Sequence, residues 1–502
     1  MPYPVYSRDE IDQIVGGVLT RLSVLELTAH AHDDQKPPPV TPVKAPTCPP
    51  FTAAQVRPGP SEPPTGAVTV NLNNNLAGMT QTHPPGTVFW LAPGVHALGG
   101  GEYDHVIPKG DNTYLGAPGA VLDGKGVNRY AFVQRAQNVT IKHLTIRGFV
   151  PPRNEGVVNH DSGDGWVIEH CVIRDNGGAA MMAGANQRVR YCALLDNGQY
   201  GINAYQAGDG ITGLVIGYNE IAGNNTGDWE ARIPGCGCTG GMKLWAVNGA
   251  DIRGNWVHHN RSVGVWADTN NNDVLIEGNL IEDNDAEAIW YETSYNAIIR
   301  CNTLRRNTLR KGEEYAGRND NFPIAAIYLS EAGGDSRVPA RTGMIEVYGN
   351  VLTDNWSGIT LWENADRFAN SPANTSAGYC TLVVDDCSRC AVAAIDAEPY
   401  YSDCRWKTKN VNIHHNTFQH GAGASGWPLM AMLSNYGTYP DWSPYKARAV
   451  QEAITHQQNN LWRDNTYLGP WRFNPYETGK LVGWDAWKAA PYNQDAGSTY
   501  TT

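Results

Sequence analysis

Short runs of alternating apolar and polar residues recur along most of the chain, and most runs contain two asparagines or close substitutes. The run IEGNLIEDN at 276–284 has counterparts at 168–176, 189–197, 216–224, 252–260, 299–307 and 347–355, with weaker copies at 413–421 and 462–470. Where no insertion intervenes, successive copies lie 21 to 27 residues apart. That length suits three short strands and three turns, and stacked coils bury a core that one coil cannot. The pattern predicts an all-β solenoid, a parallel β-helix, over residues 66–502.

The asparagines mark the bends of the predicted coils. The first of each run is Asn219, Asn255, Asn279, Asn302, Asn350, Asn416 or Asn465, and Cys171 and Cys192 stand at the earlier equivalent positions. Asparagine tolerates the left-handed backbone of tight bends, and stacked amides can hydrogen-bond from coil to coil. Leucine-rich repeats share this repeat length, but the chain lacks their Leu-x-x-Leu-x-Leu pattern. Propeller blades need about 40 residues each. We therefore expect asparagine turns joined by a polar ladder.

The first 65 residues follow different patterns. A helical spacing after a capping box at Ser7 and Glu10 predicts a short amphipathic helix with the apolar stripe Ile11, Ile14, Val18, Leu22 and Leu25. That stripe suits packing on its own domain, docking on another protein or forming a homotrimer. Eleven of the 31 prolines lie between Pro37 and Pro64, which predicts a semi-rigid polyproline spacer. The predicted layout is a helical adaptor (1–31), a linker (32–65) and the β-helix (66–502) with insertions at 225–240, 308–325 and 363–410.

Composition narrows the function classes. The net charge of −12 and a pI near 5.6 argue against nucleic-acid binding. No apolar run is long enough to insert into a membrane, and the N-terminus has no signal-peptide pattern. We therefore expect synthesis in a cytoplasm, where the ten cysteines are more readily buried thiols or metal ligands than a disulfide framework.

The third strand of each coil carries the candidate site. One alternating set is apolar and is expected to face the core: Ile202, Ala204, Met242, Leu244, Val265, Ala267, Ile289, Tyr291, Ile327, Leu329, Ile359 and Leu361. The other set is expected to face solvent as an aromatic ridge: Tyr205, Lys243, Trp245, Trp266, Asp268, Trp290, Glu292, Tyr328 and Trp362. Exposed aromatic rings suit flat sugar rings. The pattern predicts a substrate-binding face for glycans between the insertions 225–240 and 308–325, or alternatively an aromatic subunit interface.

Asp268 and Glu292 occupy equivalent positions in successive coils. Carboxyl groups roughly 5 Å apart suit a retaining glycosidase, and their proximity would raise one pKa. Lys243, one coil away, would neutralise charge or bind an acidic sugar. A calcium site and a pair of ordinary surface acids are the alternatives. His160 and Asp161 form a weaker candidate set.

Nine of the ten cysteines fall into three groups. Cys171, Cys192 and Cys301 lie at or beside ladder positions and are predicted to be buried small residues. Cys236 and Cys238 lie in an insertion. Cys380, Cys387, Cys390 and Cys404 share a second insertion, where they would hold a structural zinc or form two disulfides.

Two resemblances extend these inferences. Residues 66–495, including GTVFWLAPGVHAL, NTYLGAPGAVLDGK and LVGWDAWKAAPYNQDAGST, resemble the right-handed parallel β-helix superfamily, which contains pectate lyases, polygalacturonases and phage tailspikes. YSRDEIDQIVGGVLTRL before a proline-rich segment resembles the start of minor tail proteins from phages of mycobacteria and related actinobacteria. The first implies the fold; the second implies a virion tail location after synthesis in the host cytoplasm.

Three functions follow as hypotheses. The first is a phage minor tail protein whose N-terminal helix binds other tail proteins and whose β-helix either only binds, or binds and cleaves, a host envelope polysaccharide without a required cofactor. The second is a free β-helix glycoside hydrolase or polysaccharide lyase. The third is a structural tail scaffold. Architecture alone does not separate them, because many activities share one fold.

Overall fold

A computed structural model describes residues 44–502 apart from 54, 206–209, 368–380, 385–387, 389, 391–402 and 435–440. The chain divides into Met1–Ala45 and Pro46–Thr502, and every element given below belongs to the second unit. The helix predicted within residues 1–31 lies outside the described residues.

Three long sheets, all of parallel strands, run along the second unit. In the described chain the first sheet has 13 strands: Val68–Val70, Val88–Leu91, Thr113–Gly116, Thr140–Lys142, Val167–Glu169, Arg188–Arg190, Ile211–Gly217, Val247–Arg253, Asn272–Glu277, Ala297–Arg300, Ile345–Tyr348, Val411–His414 and Leu461–Arg463. The second has 13: Gly94–Ala97, Ala120–Asp123, Thr145–Arg147, Val172–Arg174, Ala193–Leu195, Glu220–Ala222, Trp256–His258, Leu280–Glu282, Thr303–Arg305, Val351–Thr353, Thr417–Gln419, Thr466–Leu468 and Thr499–Thr501.

The third sheet carries the candidate site and has 10 strands among the described residues: Gly156–Val158, Ala179–Met182, Tyr200–Ala204, Gly240–Leu244, Val265–Ala267, Ile289–Glu292, Ile327–Ser330, Ile359–Glu363, Leu429–Ser434 and Arg472–Asn474. Each strand pairs with the strand one coil away, not with its neighbour in sequence. The chain therefore passes through the three sheets in turn, as a right-handed parallel β-helix requires, which confirms the predicted fold.

The described residues include five helices, numbered here in chain order: α1 (Leu76–Thr82), α2 (Trp229–Arg232), α3 (Leu309–Gly317), α4 (Arg448–His456) and α5 (Trp484–Lys488). α1 begins at Asn75, whose side chain accepts a hydrogen bond from the Gly78 amide. α2 and α3 lie in the insertions beside the third sheet. None of the described helices has the length and hydropathy needed to cross a membrane.

The core lies inside the coils and is built from stacks of equivalent apolar residues. The inward set of the third sheet is fully buried at Ile202, Met242, Val265, Ile289, Ile327 and Ile359. Tyr291 is also buried there, and its hydroxyl donates to the Tyr295 carbonyl at 2.5 Å. The predicted register of this strand is therefore confirmed, because a shift of one residue would have exposed the apolar set.

Two asparagine ladders join the coils. At the first bend, each side-chain amide donates to the side-chain oxygen of the next coil, from Asn219 through Asn255, Asn279, Asn302, Asn350 and Asn416 to Asn465. A parallel ladder at the second bend runs through Asn176, Asn197, Asn224, Asn260, Asn284, Asn307 and Asn355. The expected coil-to-coil hydrogen bonding is confirmed.

The backbone reason given for those asparagines is wrong. The left-handed residue of each bend is the one before the ladder asparagine, such as Gly278 (φ 63°) before Asn279 or Asp283 (φ 54°) before Asn284. The ladder asparagine follows it and turns its amide inward. Asparagine is used there because a short amide can both donate and accept along the stack.

Disulfides among the described residues differ in part from the expectation of free or metal-bound thiols. They join Cys48 to Cys301, Cys236 to Cys238, and Cys390 to Cys404. Cys301 is therefore not a simple buried thiol, whereas Cys171 and Cys192 are buried and free as expected. The expectation of free thiols rested on a cytoplasm, whereas disulfides persist in oxidising surroundings.

The described part of the proline-rich segment contacts the β-helix. The Arg57 carbonyl accepts a hydrogen bond from His143 Nδ1 at 2.9 Å, and the Pro60 carbonyl accepts one from Trp90 Nε1 at 3.1 Å. Cys48 is bonded to Cys301 across 253 residues of sequence. An extended proline-rich backbone leaves its carbonyls available for such contacts.

We expect the Cys48–Cys301 disulfide to stabilise the folded protein. Cys48→Ser should lower the free energy of unfolding by about 2–4 kcal/mol, because the crosslink restricts a long loop of the unfolded chain. Chemical denaturation of oxidised wild type and variant measures the difference. Addition of a reductant should remove most of it, and a peptide map without the Cys48–Cys301 crosslink would contradict the prediction.

Candidate functional site: a cleft over the third sheet

The outward side of the third sheet brings most of the predicted site residues together. Lys243, Trp266, Trp290, Tyr328 and Thr360 align across five successive strands. A second row aligns Glu292 with Ser330 and Trp362, and Asp268 follows Ala267, which pairs with Tyr291. Parallel pairing places equivalent side chains about 4.8 Å apart. The two rows form one floor.

The insertions form walls around this floor and enclose a cleft of about 870 Å³. Glu230 of α2 and residues 235–237, which follow this helix, line one side. Lys311 and Tyr315 of α3, with Phe322, line the other. A smaller hollow of about 240 Å³ continues past Trp362 to Glu331. The cleft lies between the insertions that the sequence analysis named.

The walls bury side chains that were expected to face solvent. Trp266 is 5% exposed, Asp268 7% and Glu292 6%, whereas Trp290 is half-buried. The predicted register gave the correct outward direction of these side chains. The alternation of residues along a strand does not show which of them the insertions cover. The outward face is a cleft floor and not an exposed ridge.

The aromatic rings stack on one another along the solenoid. Trp266 and Trp290 are parallel, with centroids 4.3 Å apart, and Lys243 Nζ lies 3.9 Å from the Trp266 centroid on the ring face. Tyr328 continues the column at 5.3 Å from Trp290. The Trp266–Trp290 faces thus contact each other, and the predicted stacking of sugar rings on Trp266 does not follow from this geometry.

Other predicted residues lie at the margins. Trp245 and Trp362 line the cleft, whereas Tyr205 is 43% exposed and contacts Trp245 edge-on outside it. His160 Nε2 lies 3.7 Å from Asp161 Oδ1, and the His160 ring stacks on Tyr130 near the N-terminal end of the solenoid. Neither lines the cleft.

The predicted acid pair belongs to a buried ionic network. Asp268 Oδ2 is 2.9 Å from Lys243 Nζ, and Asp268 Oδ1 accepts from the Thr269 hydroxyl. Glu292 Oε2 accepts from Trp266 Nε1 at 3.1 Å.

Arg367 completes the network and comes from the insertion that follows the strand Ile359–Glu363. Its Nη1 lies 2.7 Å from Glu292 Oε1 and 2.8 Å from Glu331 Oε2. Sequence reasoning missed Arg367 and Glu331 because the contact spans 75 residues and depends on the path of a long loop.

Burial and the neighbouring charge of Asp268 raise the pKa of Glu292 well above its usual range, although Arg367 opposes the shift. Burial also raises the pKa of Glu331. Glu292, with its raised pKa, therefore lies next to Asp268, which is ion-paired with Lys243. A carboxyl group whose pKa is raised can serve as a general acid.

Glu287 is a further cleft carboxyl that the sequence analysis overlooked. It is 6% exposed and lies just before the strand that contains Glu292. Burial raises its pKa to about 7, opposed by its own backbone amide and by Lys311. A signal was present in the sequence, because the equivalent positions in the adjacent coils are the apolar Val263 and Ala325.

We expect Glu287→Gln to stabilise the protein at alkaline pH. A raised folded-state pKa favours the folded state at low pH, and this contribution is lost as pH rises from about 4.5 through about 7. The unfolding free energy of Glu287→Gln relative to wild type should thus rise by about 1–3 kcal/mol between pH 5 and pH 8. Denaturant titrations at both pH values measure this change, and a pH-independent difference would contradict it.

The predicted metal ligands do not form a cluster in the described structure. Among all the residues that the structure describes, no three His, Cys, Asp or Glu side chains are grouped so that they could hold a metal ion. Cys390 and Cys404 form a disulfide, one of the two arrangements that the sequence left open, while Cys380 and Cys387 lie outside the described residues. At the proposed calcium position, Lys243 and Arg367 already supply positive charge to Asp268 and Glu292.

Comparisons with known proteins agree with this architecture. Residues 235–375 match the family model described as right handed beta helix region. No curated protein matches the chain in sequence. Among solved structures, the chain is similar to the A-module of mannuronan C-5 epimerase AlgE6 from Azotobacter vinelandii, at 13% identity and TM-score 0.51, covering 85% of this chain and 93% of that one. It is also similar to the catalytic unit of a GH87 alpha-1,3-glucanase from Streptomyces thermodiastaticus, at 15% identity and TM-score 0.48, covering 87% and 71%. In fold, the chain is a right-handed parallel β-helix.

Proposed function

We propose that the cleft over the third sheet binds a polysaccharide and hydrolyses its glycosidic bonds. The observation that carries the proposal is the buried pair Asp268 and Glu292, each held by a cation, in which burial and the charge of Asp268 raise the pKa of Glu292 in spite of Arg367. The AlgE6 module, named as a mannuronan epimerase, offers a precedent for polysaccharide chemistry on this fold, although the likeness is one of fold.

In this proposal Glu292 donates its proton to the glycosidic oxygen as the bond to the anomeric carbon breaks. Asp268 attacks the same carbon and forms a glycosyl ester. Glu292 then takes a proton from water, and the hydroxide formed displaces Asp268. The coil spacing of about 4.8 Å matches the carboxyl separation of retaining enzymes, about 5–5.5 Å.

Lys243 and Arg367 orient the two carboxyl groups in this scheme. Lys243 holds Asp268 beside the floor, and Arg367 holds Glu292. Acid–base hydrolysis of this kind requires no cofactor.

We further propose that the protein acts as a phage minor tail protein that presents this cleft to the host envelope. The support is the resemblance of residues 1–31 and the following proline-rich segment to such proteins. The N-terminal helix would bind other tail proteins, and a homotrimer would place three clefts side by side. Purified virions should then contain the chain, and virions without it would exclude the role.

The direct test is release of new reducing ends. Wild-type protein is incubated with envelope polysaccharide from actinobacterial hosts and with a panel of purified neutral and acidic polysaccharides. Hydrolysis should release reducing ends without the unsaturated product that a lyase forms. Absorbance of an unsaturated uronate would instead favour the lyase, and neither binding nor cleavage would favour the scaffold.

A further inference from the structure

The cations of the cleft are already paired with acids. Lys243 contacts Asp268 at 2.9 Å and also donates to the Gly237 carbonyl. Arg367 bridges Glu292 and Glu331 at 2.7 and 2.8 Å. Both cations are mostly buried in these contacts. Moving either one onto a ligand would leave a buried carboxylate without its partner, which is costly.

The remaining cation of the described lining, Lys311, lies on the α3 wall. It forms a looser pair with Glu314 at 3.7 Å and is partly exposed. The other charged lining residues, Glu230, Glu287 and Asp320, are acids. Apart from the side chains in these ion pairs, the charged residues that line the cleft are mainly acids. A ligand therefore meets mainly negative charge.

Glu287 differs from the paired acids. Its carboxyl group is buried against the cleft, and within the described chain no other side chain donates to it or lies at ion-pair distance. A buried carboxyl group that no other side chain contacts through a hydrogen bond gains free energy from a ligand that donates hydrogen bonds. Sugar hydroxyl groups are donors of this kind.

We infer that the cleft accepts a neutral glycan and that Glu287 determines this specificity by accepting hydrogen bonds from sugar hydroxyl groups. The inference rests on the proposed function and adds the substrate class. A polyuronate would bring a carboxylate toward Glu287 and the rim acids with no uncommitted buried cation to receive it. Like charges in a cleft of low dielectric repel strongly.

This substrate class also restricts the reaction. β-Elimination and C-5 epimerisation begin by removing a proton from the carbon next to a carboxylate, and a neutral sugar has none. Hydrolysis transfers the glycosyl group from oxygen to Asp268 and then to water, and needs no such carboxylate. The cleft of this chain is thus suited to hydrolysis.

The test compares matched polysaccharides that differ only in charge. An α-1,3-glucan and an arabinogalactan are used, each in native form and after oxidation of its primary alcohols to carboxylates. Binding is measured by affinity electrophoresis and cleavage by reducing ends. Wild-type protein should bind at least one native polymer at least tenfold more tightly than its oxidised form.

Variants test the part played by Glu287. Glu287→Gln should raise KM or Kd for the native polymer about tenfold and leave kcat within about threefold, because Glu287 takes no part in the bond-breaking steps proposed for Asp268 and Glu292. Wild-type affinity should rise with pH through about 7 as Glu287 ionises, and the variant should lack this dependence. Glu313→Gln, in α3 but exposed and outside the lining, is the matched control.

The outcomes separate the two proposals. Preference for the oxidised polymers, or for a cationic polymer such as chitosan, would overturn the neutral-glycan inference while leaving glycan binding intact. Unchanged affinity and pH profile in a folded Glu287→Gln variant would overturn the role of Glu287. If no polymer of the panel and no host envelope polysaccharide is bound or cleaved, the proposed function fails as well.

Discussion

Glu292→Gln is expected to lower the rate of glycan cleavage by about 10²–10⁴-fold, the range lost when a general acid is removed. The amide keeps the shape of the side chain and can still contact Arg367, but it has no proton to donate. Wild-type activity should fall as pH rises through the raised pKa of Glu292, because the carboxyl group then loses that proton. Initial rates of reducing-end release between pH 5 and pH 9 measure both effects.

Asp268→Asn tests the other member of the pair. It should lose cleavage to a similar extent, because an amide is a poor nucleophile toward the anomeric carbon. Glu313→Gln, an exposed acid outside the cleft lining, should retain the wild-type rate. Thermal unfolding shows whether each variant is folded. Full cleavage by folded Glu292→Gln would exclude this residue as the general acid. The other acids of the cleft would then be the candidates for that role.

Asn279→Ala is expected to lower the free energy of unfolding by about 2–6 kcal/mol, since it leaves at least two buried polar groups unsatisfied. Asn279 Oδ1 accepts from both the backbone N–H and the side-chain amide of Asn255, at 2.9 and 3.0 Å. Its own amide donates to the Ile252 carbonyl and to Asn302 Oδ1. Denaturant unfolding of the variant against wild type measures the loss.

The control for the ladder is an asparagine outside it. Asn73→Ala removes an exposed amide before α1 and should change the unfolding free energy by less than about 0.5 kcal/mol. Asn279→Cys should cost less than Asn279→Ala, because Cys192 at an equivalent position donates from its thiol to the Ile168 carbonyl. Equal stability of Asn279→Ala and Asn73→Ala would show that the ladder contributes little.

The fold and the strand register were predictable because they arise from repetition. Each coil repeats the same alternation, so the side of the strand that carries Ile289 and Tyr291 must face the core in every copy. The ladder could be predicted for the same reason, although the left-handed residue is Gly278 and not Asn279. A hydrogen bond between equivalent residues needs only the repeat length, whereas backbone dihedral angles depend on the local turn.

The candidate site was predictable only in part. Lys243, Asp268 and Glu292 were placed on one face by register, and the structure brings them into one network. Their burial was not predicted, because it depends on α3 and on the loop that contains Arg367. The disulfide between Cys48 and Cys301 was missed because no sequence pattern relates residues so far apart.

By itself, the sequence determined the solenoid, its repeat length, the inward and outward faces and the stacking of asparagines, since all of these follow from a short periodic pattern. Only the tertiary structure decided which outward residues form a cleft, which acids acquire partners and which one, Glu287, remains without a side-chain partner within the described chain. The physical reason is that burial and charge pairing depend on distances between segments that no repeat relates. Insertions break the period, and the walls, the ion pairs and the raised pKa values of the cleft depend on them.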